Sequence, residues 1–293
     1  MNMLKKVVFL PLVLLLAGSL TACTFGSSVD PSLPPAQEVI DAVIKSMSAV
    51  STYQFDSSMI MSTAGETGCA SFEMTIDMTL MGAVDIENRQ MEADISMGAE
   101  IPGQGDMDVR MEMYVIGDTA YMKMDSFGFD PMWVKMEVTD EVWGEMSQMV
   151  ELVEPYVDLL EAAEVRVTGI DEVAGVDCYV LEVIPDMDQL WELAMQQAEV
   201  TDTGMPELTE KLLSEMFRDF SVRQWVSTEM FFITRVMIDM SVELTPEDMG
   251  FPGEDGVLRM DIVMYLLAHD YNQPVSIELP PGAENAVDAE TGF

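Results

Sequence analysis

Residues 72–80 read Phe72-Glu73-Met74-Thr75-Ile76-Asp77-Met78-Thr79-Leu80, apolar and polar in strict turn. Side chains of an extended chain point alternately to its two faces. This order therefore sets Phe72, Met74, Ile76, Met78 and Leu80 on one face and Glu73, Thr75, Asp77 and Thr79 on the other. A helix would scatter both sets around its circumference. The alternation returns at Met91, Ala93, Ile95 and Met97, and again at Met107, Val109, Met111, Met113 and Val115. It returns near the end of the chain at Val236, Ile238, Met240, Val242 and Leu244, and at Leu258, Met260, Ile262, Met264 and Leu266. Alternation of this length predicts long antiparallel strands with one dry face and one wet face. Met74, Met78, Met111, Met113 and Met260 should point inward, and Glu73, Asp77 and Glu112 toward water.

Between these runs the chain supplies turns and a few helices. Gly117-Asp118 and Ala174-Gly175 are tight-turn pairs, with strands expected at 119–124, 133–137, 165–173, 176–184 and 221–226. From Ala36 onward, Ile40, Val43, Ile44 and Met47 have the spacing of one helix face. Thr139 can cap a second helix that carries Asp140 and Glu141 in its first turn, and Asp186 with Gln189 forms a capping box for a third, over 186–198. A fourth is expected over 207–217. The fold class expected is α+β: an antiparallel curved sheet of about eleven strands, an open half-barrel, with about four helices packed on its concave face. It should form a single domain over 36–285, followed by a short tail over 286–293.

The start of the chain gives an address. Lys5 and Lys6 precede an apolar stretch over 7–16, which is too short to span a bilayer and reads as a signal peptide over 1–22. It ends Leu20-Thr21-Ala22-Cys23, the pattern of a bacterial lipobox, in which Cys23 is diacylated and becomes the new N-terminus. Each buried methylene of an acyl chain contributes about 0.8 kcal/mol, so two or three chains hold a protein that one would not. The stretch 23–35, rich in Ser, Gly and Pro, then reads as a flexible tether. The expected location is extracytoplasmic, at a cell membrane, through this lipid anchor. Outside the cytoplasm a disulfide can persist, and Cys69 and Cys178 both lie in expected strands. Either they are bridged, which requires neighbouring strands, or they are two buried thiols.

Composition removes other partners. The 293 residues hold 13 Lys and Arg against 53 Asp and Glu, a net charge of −40 that deepens once the leader takes Lys5 and Lys6 away. Phosphate backbones would be repelled, so no nucleic acid is expected. Hydrophobic residues make up 49% of the chain, enough for a real core.

Four stretches resemble one known family. They are Met111-Glu112-Met113-Tyr114-Val115-Ile116-Gly117-Asp118-Thr119-Ala120-Tyr121-Met122-Lys123-Met124 with Trp133-Val134-Lys135-Met136; Gly169-Ile170-Asp171-Glu172-Val173-Ala174-Gly175-Val176-Asp177-Cys178-Tyr179-Val180-Leu181; Trp225-Val226 with Phe231-Phe232; and Asp270-Tyr271-Asn272-Gln273-Pro274-Val275-Ser276-Ile277-Glu278-Leu279-Pro280. In this order they are similar to the LolA-like half-barrel lipoproteins of bacteria, which include lipoprotein carriers and the lipid-binding LppX and LprG types. Within that superfamily they look most like a methionine-rich branch of small surface lipoproteins. Ser227 stands where the family usually has aspartate, and Ile233 where it has proline. The resemblance implies the half-barrel, a last strand over 270–280 and an expectation of lipid binding. It brings no catalytic residue.

The 29 methionines admit three readings. Met is unbranched and fills irregular cores; a concave surface of thioethers can instead adapt to acyl chains; and paired sulfurs such as Met59 with Met61, Met111 with Met113 and Met122 with Met124 could capture Cu(I). The third normally adds His or Cys, and His269 is the sole histidine, so no metal is expected. No EF-hand loop, P-loop, Gly-x-Ser-x-Gly, dinucleotide-binding turn or zinc spacing is present. His269, followed by Asp270 and Tyr271, reads as a strand-end residue and not as a base. The function expected is non-catalytic, without cofactor: a membrane-anchored lipoprotein that binds a lipid or other apolar small molecule between sheet and helices. Its cavity would be lined from Met74, Ile76, Met78, Met111, Met113, Ile238, Met240, Met260, Ile262 and Met264. The alternative is a cell-envelope interaction or sensor module, solidly packed, that binds another envelope protein.

Overall fold

The computed structural model describes residues 32–67, 70–101, 105–125, 131–140, 142–143, 163–184, 219–245 and 256–289. Helix α1 (Ala36–Met47) opens the domain, with Glu38 in its first turn and Lys45 in its last, each at the end of the helix dipole that favours its charge. Two meanders follow. The first is β1 (Thr52–Thr67), β2 (Ala70–Asp85), β3 (Gln90–Ile101), β4 (Gly105–Ile116), β5 (Thr119–Asp125) and β6 (Trp133–Glu137). The second is β7 (Glu164–Val173), β8 (Val176–Ile184), β9 (Asp219–Ser227), β10 (Ile233–Leu244) and β11 (Gly256–His269), and a short β12 (Val287–Asp288) ends the order.

All twelve strands form one curved, unclosed sheet, in the order β12-β6-β5-β4-β3-β2-β1-β11-β10-β9-β8-β7. The meanders join where β1 pairs antiparallel with β11, from Gln54 opposite His269 to Thr67 opposite Gly256. The expected antiparallel sheet is present with one strand more than expected. The addition is β12, where Val287 and Asp288 lie parallel to Val134 and Lys135 and cover the edge of β6.

Alternation set the register correctly. On β10, Val236, Ile238, Met240, Val242 and Leu244 are buried, while Asp239 and Glu243 between them are exposed. Because cross-strand partners share a face, the pairing carries this phase through the sheet. One row runs Ile238, Met264, Met59, Met78, Met97 and Val109 from β10 to β4. Gly82 lies in the same phase, where a Cβ would stand 2.2 Å from the Glu92 carbonyl oxygen and 2.8 Å from the Phe55 ring. Only glycine lets that ring lie across β2.

The helices and the chain's last stretch differ from expectation. Among the described residues one α-helix is complete, and it buries Val39, Ile40, Val43 and Met47 against Val167, Leu181, Val183, Val222, Val226, Val236 and Ile238. Thr139 begins the second as expected: its hydroxyl accepts the Val142 N–H at 3.3 Å and its carbonyl the Trp143 N–H at 2.8 Å. The rest of that helix and both helices expected over 186–198 and 207–217 lie outside the described residues. The strand implied over 270–280 does not form. Instead Asp270 and Asn272 take positive φ (51° and 55°), Asn272 donates its N–H to the Thr52 carbonyl at 2.8 Å, and its side-chain oxygen accepts the Ser51 N–H at 2.8 Å. The segment is a strap that ties the end of β11 to the start of β1.

Candidate functional site

The apolar face of the sheet gathers all ten residues expected to line a cavity. Met264 and Ile262 face Ile238 and Met240 from β11, and Met260 lies between Val242 and Thr63. Met74, Ile76 and Met78 continue on β2, and Met111 and Met113 on β4 opposite Ile95 and Ala93. Their burial divides them. Met240 is 0% exposed and Ile238 4%. Met74, Ile76, Met78, Met111, Met113, Met260, Ile262 and Met264 are half-buried, as are Met59, Met61 and Met97 among them. The five methionines expected to be buried therefore point to the apolar side but keep part of their surface free. Glu73 and Asp77 are exposed on the other face, whereas Glu112 is half-buried because the Lys123 ammonium holds it at 2.7 Å.

One polar side chain interrupts this face. Gln224 lies on β9 in phase with Phe220, Val222 and Val226, with Leu181 of β8 and Val236 of β10 as its cross-strand partners. It is 0% exposed, and neither its Nε2 nor its Oε1 has a hydrogen-bond partner among the described residues. A buried amide left unpaired costs about 1–3 kcal/mol. Sequence reasoning passed over it. The signal was available, since the phase Phe220, Val222, Gln224, Val226 puts an amide where every neighbour is apolar.

The opposite face is polar. An open depression of about 250 Å³ is lined by Gln54, Asp56, Met81, Glu92, Asp94 and His269. Partial burial pushes the Glu92 carboxyl above its usual range, helped by the charge of Asp94, and burial together with Glu112 does the same to Asp94. The His269 ring, at the end of β11 as expected, lies between two carboxylates, with Nε2 3.2 Å from Asp56 and Nδ1 2.9 Å from Asp270. Among the described residues no group of three His, Cys, Asp or Glu is placed to hold a metal ion. Further along this face, the Trp225 indole donates to Asp171 at 3.0 Å and Arg235 lies 5.4 Å from its ring centre.

Cys178 is buried and free, its sulfur 3.6 Å from the Thr234 hydroxyl, and burial pushes the thiol up. Strand β8, which carries Cys178, is separated from β1 and β2 by β9, β10 and β11. Cys69 itself, like Cys23, lies outside the described residues. No described helix is long and apolar enough to cross a membrane.

Comparison with known proteins gives a family and distant likenesses of shape. The family model described as "Family of unknown function (DUF6612)" matches residues 35–287. No curated protein matches the chain. Among solved structures it is similar to the Mycobacterium tuberculosis lipoprotein LppX, at 11% identity over 83% of this chain and 98% of that one, with a TM-score of 0.36. It is also similar to a DUF1329 family protein from Desulfovibrio piger, at 10% identity over 84% and 96% of the two chains, with a TM-score of 0.26. A third likeness is to the Pseudomonas aeruginosa MucA/MucB complex, at 12% identity, 84% and 67% coverage and a TM-score of 0.27. These are too remote to bring a ligand or partner to this chain.

Proposed function

The chain belongs to the DUF6612 family, and from that premise we propose that it is a non-catalytic, extracytoplasmic lipoprotein that seats a lipid or other apolar molecule against the methionine-rich face of its sheet. The observation that carries the reading is the row Met264, Met59, Met78 and Met97, four thioethers on adjacent strands that all remain half-buried. A face filled by its own core would bring them to the burial of Met240. In this reading Ile238 and Met240 form the floor, and Met74, Ile76, Met78, Met111, Met113, Met260, Ile262 and Met264 the adaptable wall. Unbranched thioether side chains can change rotamer at little cost, which suits acyl chains of varied shape. Residues 1–22 are the removable leader, Cys23 carries the acyl anchor, and 23–35 hold the domain 36–285 off the membrane.

A second reading keeps one observation in its favour. The core beneath α1 is fully packed, with Val39, Leu181 and Val226 all at 0% exposure, as an envelope interaction module would require. Native mass spectrometry of the purified protein, with uptake of a fluorescent fatty acid after delipidation, separates the two. Co-purified lipid and saturable uptake are expected; neither lipid nor uptake in repeated preparations would leave the interaction module as the reading.

A further inference from the structure

We infer that two copies of the chain pair through the outer edge of β7, strand to strand and antiparallel, with Arg166 of each copy facing Asp171 of the other. Pairing of this kind is independent of any bound lipid.

The two ends of the sheet differ. At one end β12 covers β6, whereas at the other β7 is the last strand, and among the described residues nothing pairs with its outer side. An open strand edge presents a row of backbone donors and acceptors to any extended segment that fits it. Ile170 stands on this edge at 59% exposure, in the dry-face phase that runs from Tyr179 through Val226 to Ile233.

The bulge in β7 decides which segment fits. Pairing with β8 slips between Val167 and Gly169, and the extra residue reverses the phase of everything beyond it. Val167 and Ile170 are thus both on the dry side, and Arg166 and Asp171 both on the wet side. A bulge ordinarily guards an edge; here it brings the phases of two copies into match. Laid antiparallel against itself about a two-fold axis at Thr168 and Gly169, β7 sets Val167 opposite Ile170 and Arg166 opposite Asp171, each twice. The adjacent face-matching registers set Glu164 against Asp171 or Arg166 against Val173, so charge selects the first. Arg166 already donates to Glu164 at 2.9 and 2.6 Å, and its fork of N–H groups leaves donors for a second carboxylate. Each oxygen of Asp171 accepts one hydrogen bond, from the Trp225 indole or the Glu172 N–H, and keeps a lone pair.

The net charge of −40 on each copy opposes association. At about 0.15 M salt, however, exposed charges more than about 8 Å apart are largely screened, and the pairs at the edge decide. The axis stands normal to the sheet, so both dry faces look the same way. Leu33 packs against the core cluster that holds Val167, which places the start of both chains on that side. Under the proposed anchor the two copies share one membrane, and their effective concentration rises.

Sedimentation of the full chain in neutral detergent at about 0.15 M salt should show one copy passing to two as concentration rises; a single copy at every concentration overturns the inference. Arg166→Asp and Asp171→Arg should each weaken pairing about tenfold, because two exposed ion pairs become repulsions. Mixing the two folded variants should restore it, since every Asp then faces an Arg again. Pairing left intact in each variant alone, or not restored on mixing, overturns β7 as the contact. Asp171 also holds the Trp225 indole, so should Asp171→Arg misfold, Ile170→Lys carries the test: it should abolish pairing, and undiminished pairing overturns the inference.

Discussion

Tyr271 donates its hydroxyl to the Ile233 carbonyl at 2.6 Å while its ring stacks on Phe232 at 4.6 Å and Tyr53 at 6.0 Å. Burial pushes the phenol well above its usual range, so it stays a donor at any physiological pH. Tyr271→Phe should keep the stacking, leave a carbonyl unpaired and lower stability by about 1–2 kcal/mol in urea unfolding. A second prediction concerns Glu92 and Asp94. Their folded-state pKa values are raised, so the stability that their protonation contributes is full below the usual carboxylate range and is lost as pH rises through the raised values. Asp94→Asn should therefore raise the melting temperature at pH 7 and change it little near pH 4; equal shifts at both would remove the electrostatic account. At this scale the sequence was partly legible. The phases of Gln224 and His269 could be read from it, but the engagement of His269 on both sides depends on Asp56, brought over from β1.

Strands carried their own signature because alternation is both a secondary-structure signal and a statement of which side is dry. That is why Met240, Val242 and Leu244 could be placed from sequence. The degree of burial could not be, since phase says which way a side chain points and nothing about what lies above it. Met240→Ala should cost about 2–5 kcal/mol, as expected for a fully enclosed thioether. Met78→Ala should cost clearly less, because part of its surface is already free, yet should weaken uptake of the fluorescent fatty acid; equal losses of stability would argue for a filled core. The strand that escaped notice is β12, two residues long and without a period to read. The strap around Asn272 was missed for a related reason: its fixed points are the Ser51 N–H and Thr52 carbonyl, more than 200 residues away.

For the whole molecule, charge is the property that composition made visible. Acids dominate the wet face and thioethers the dry one, so one register accounts for both excesses. Under the proposed address, Cys23→Ala should move the protein from the membrane fraction to the soluble extracytoplasmic fraction, because the acyl chains that hold it there can no longer be attached; retention in the membrane would refute acylation at Cys23. The strand order was the least legible feature. Neighbouring hairpins follow from short turns, but nothing in the local sequence of β1 names β11 as its partner.

The seam between β1 and β11 also sets a timetable for folding. The first meander leaves the ribosome with one long edge of β1 unpaired, and its partner, starting at Gly256, is made about 200 residues later. At roughly 5–20 residues per second, that edge waits about 10–40 seconds. Exposed strand edges recruit other chains. The nascent protein is thus most prone to aggregation before its final eighth has been synthesised, and a truncation ahead of Gly256 would make that exposure permanent.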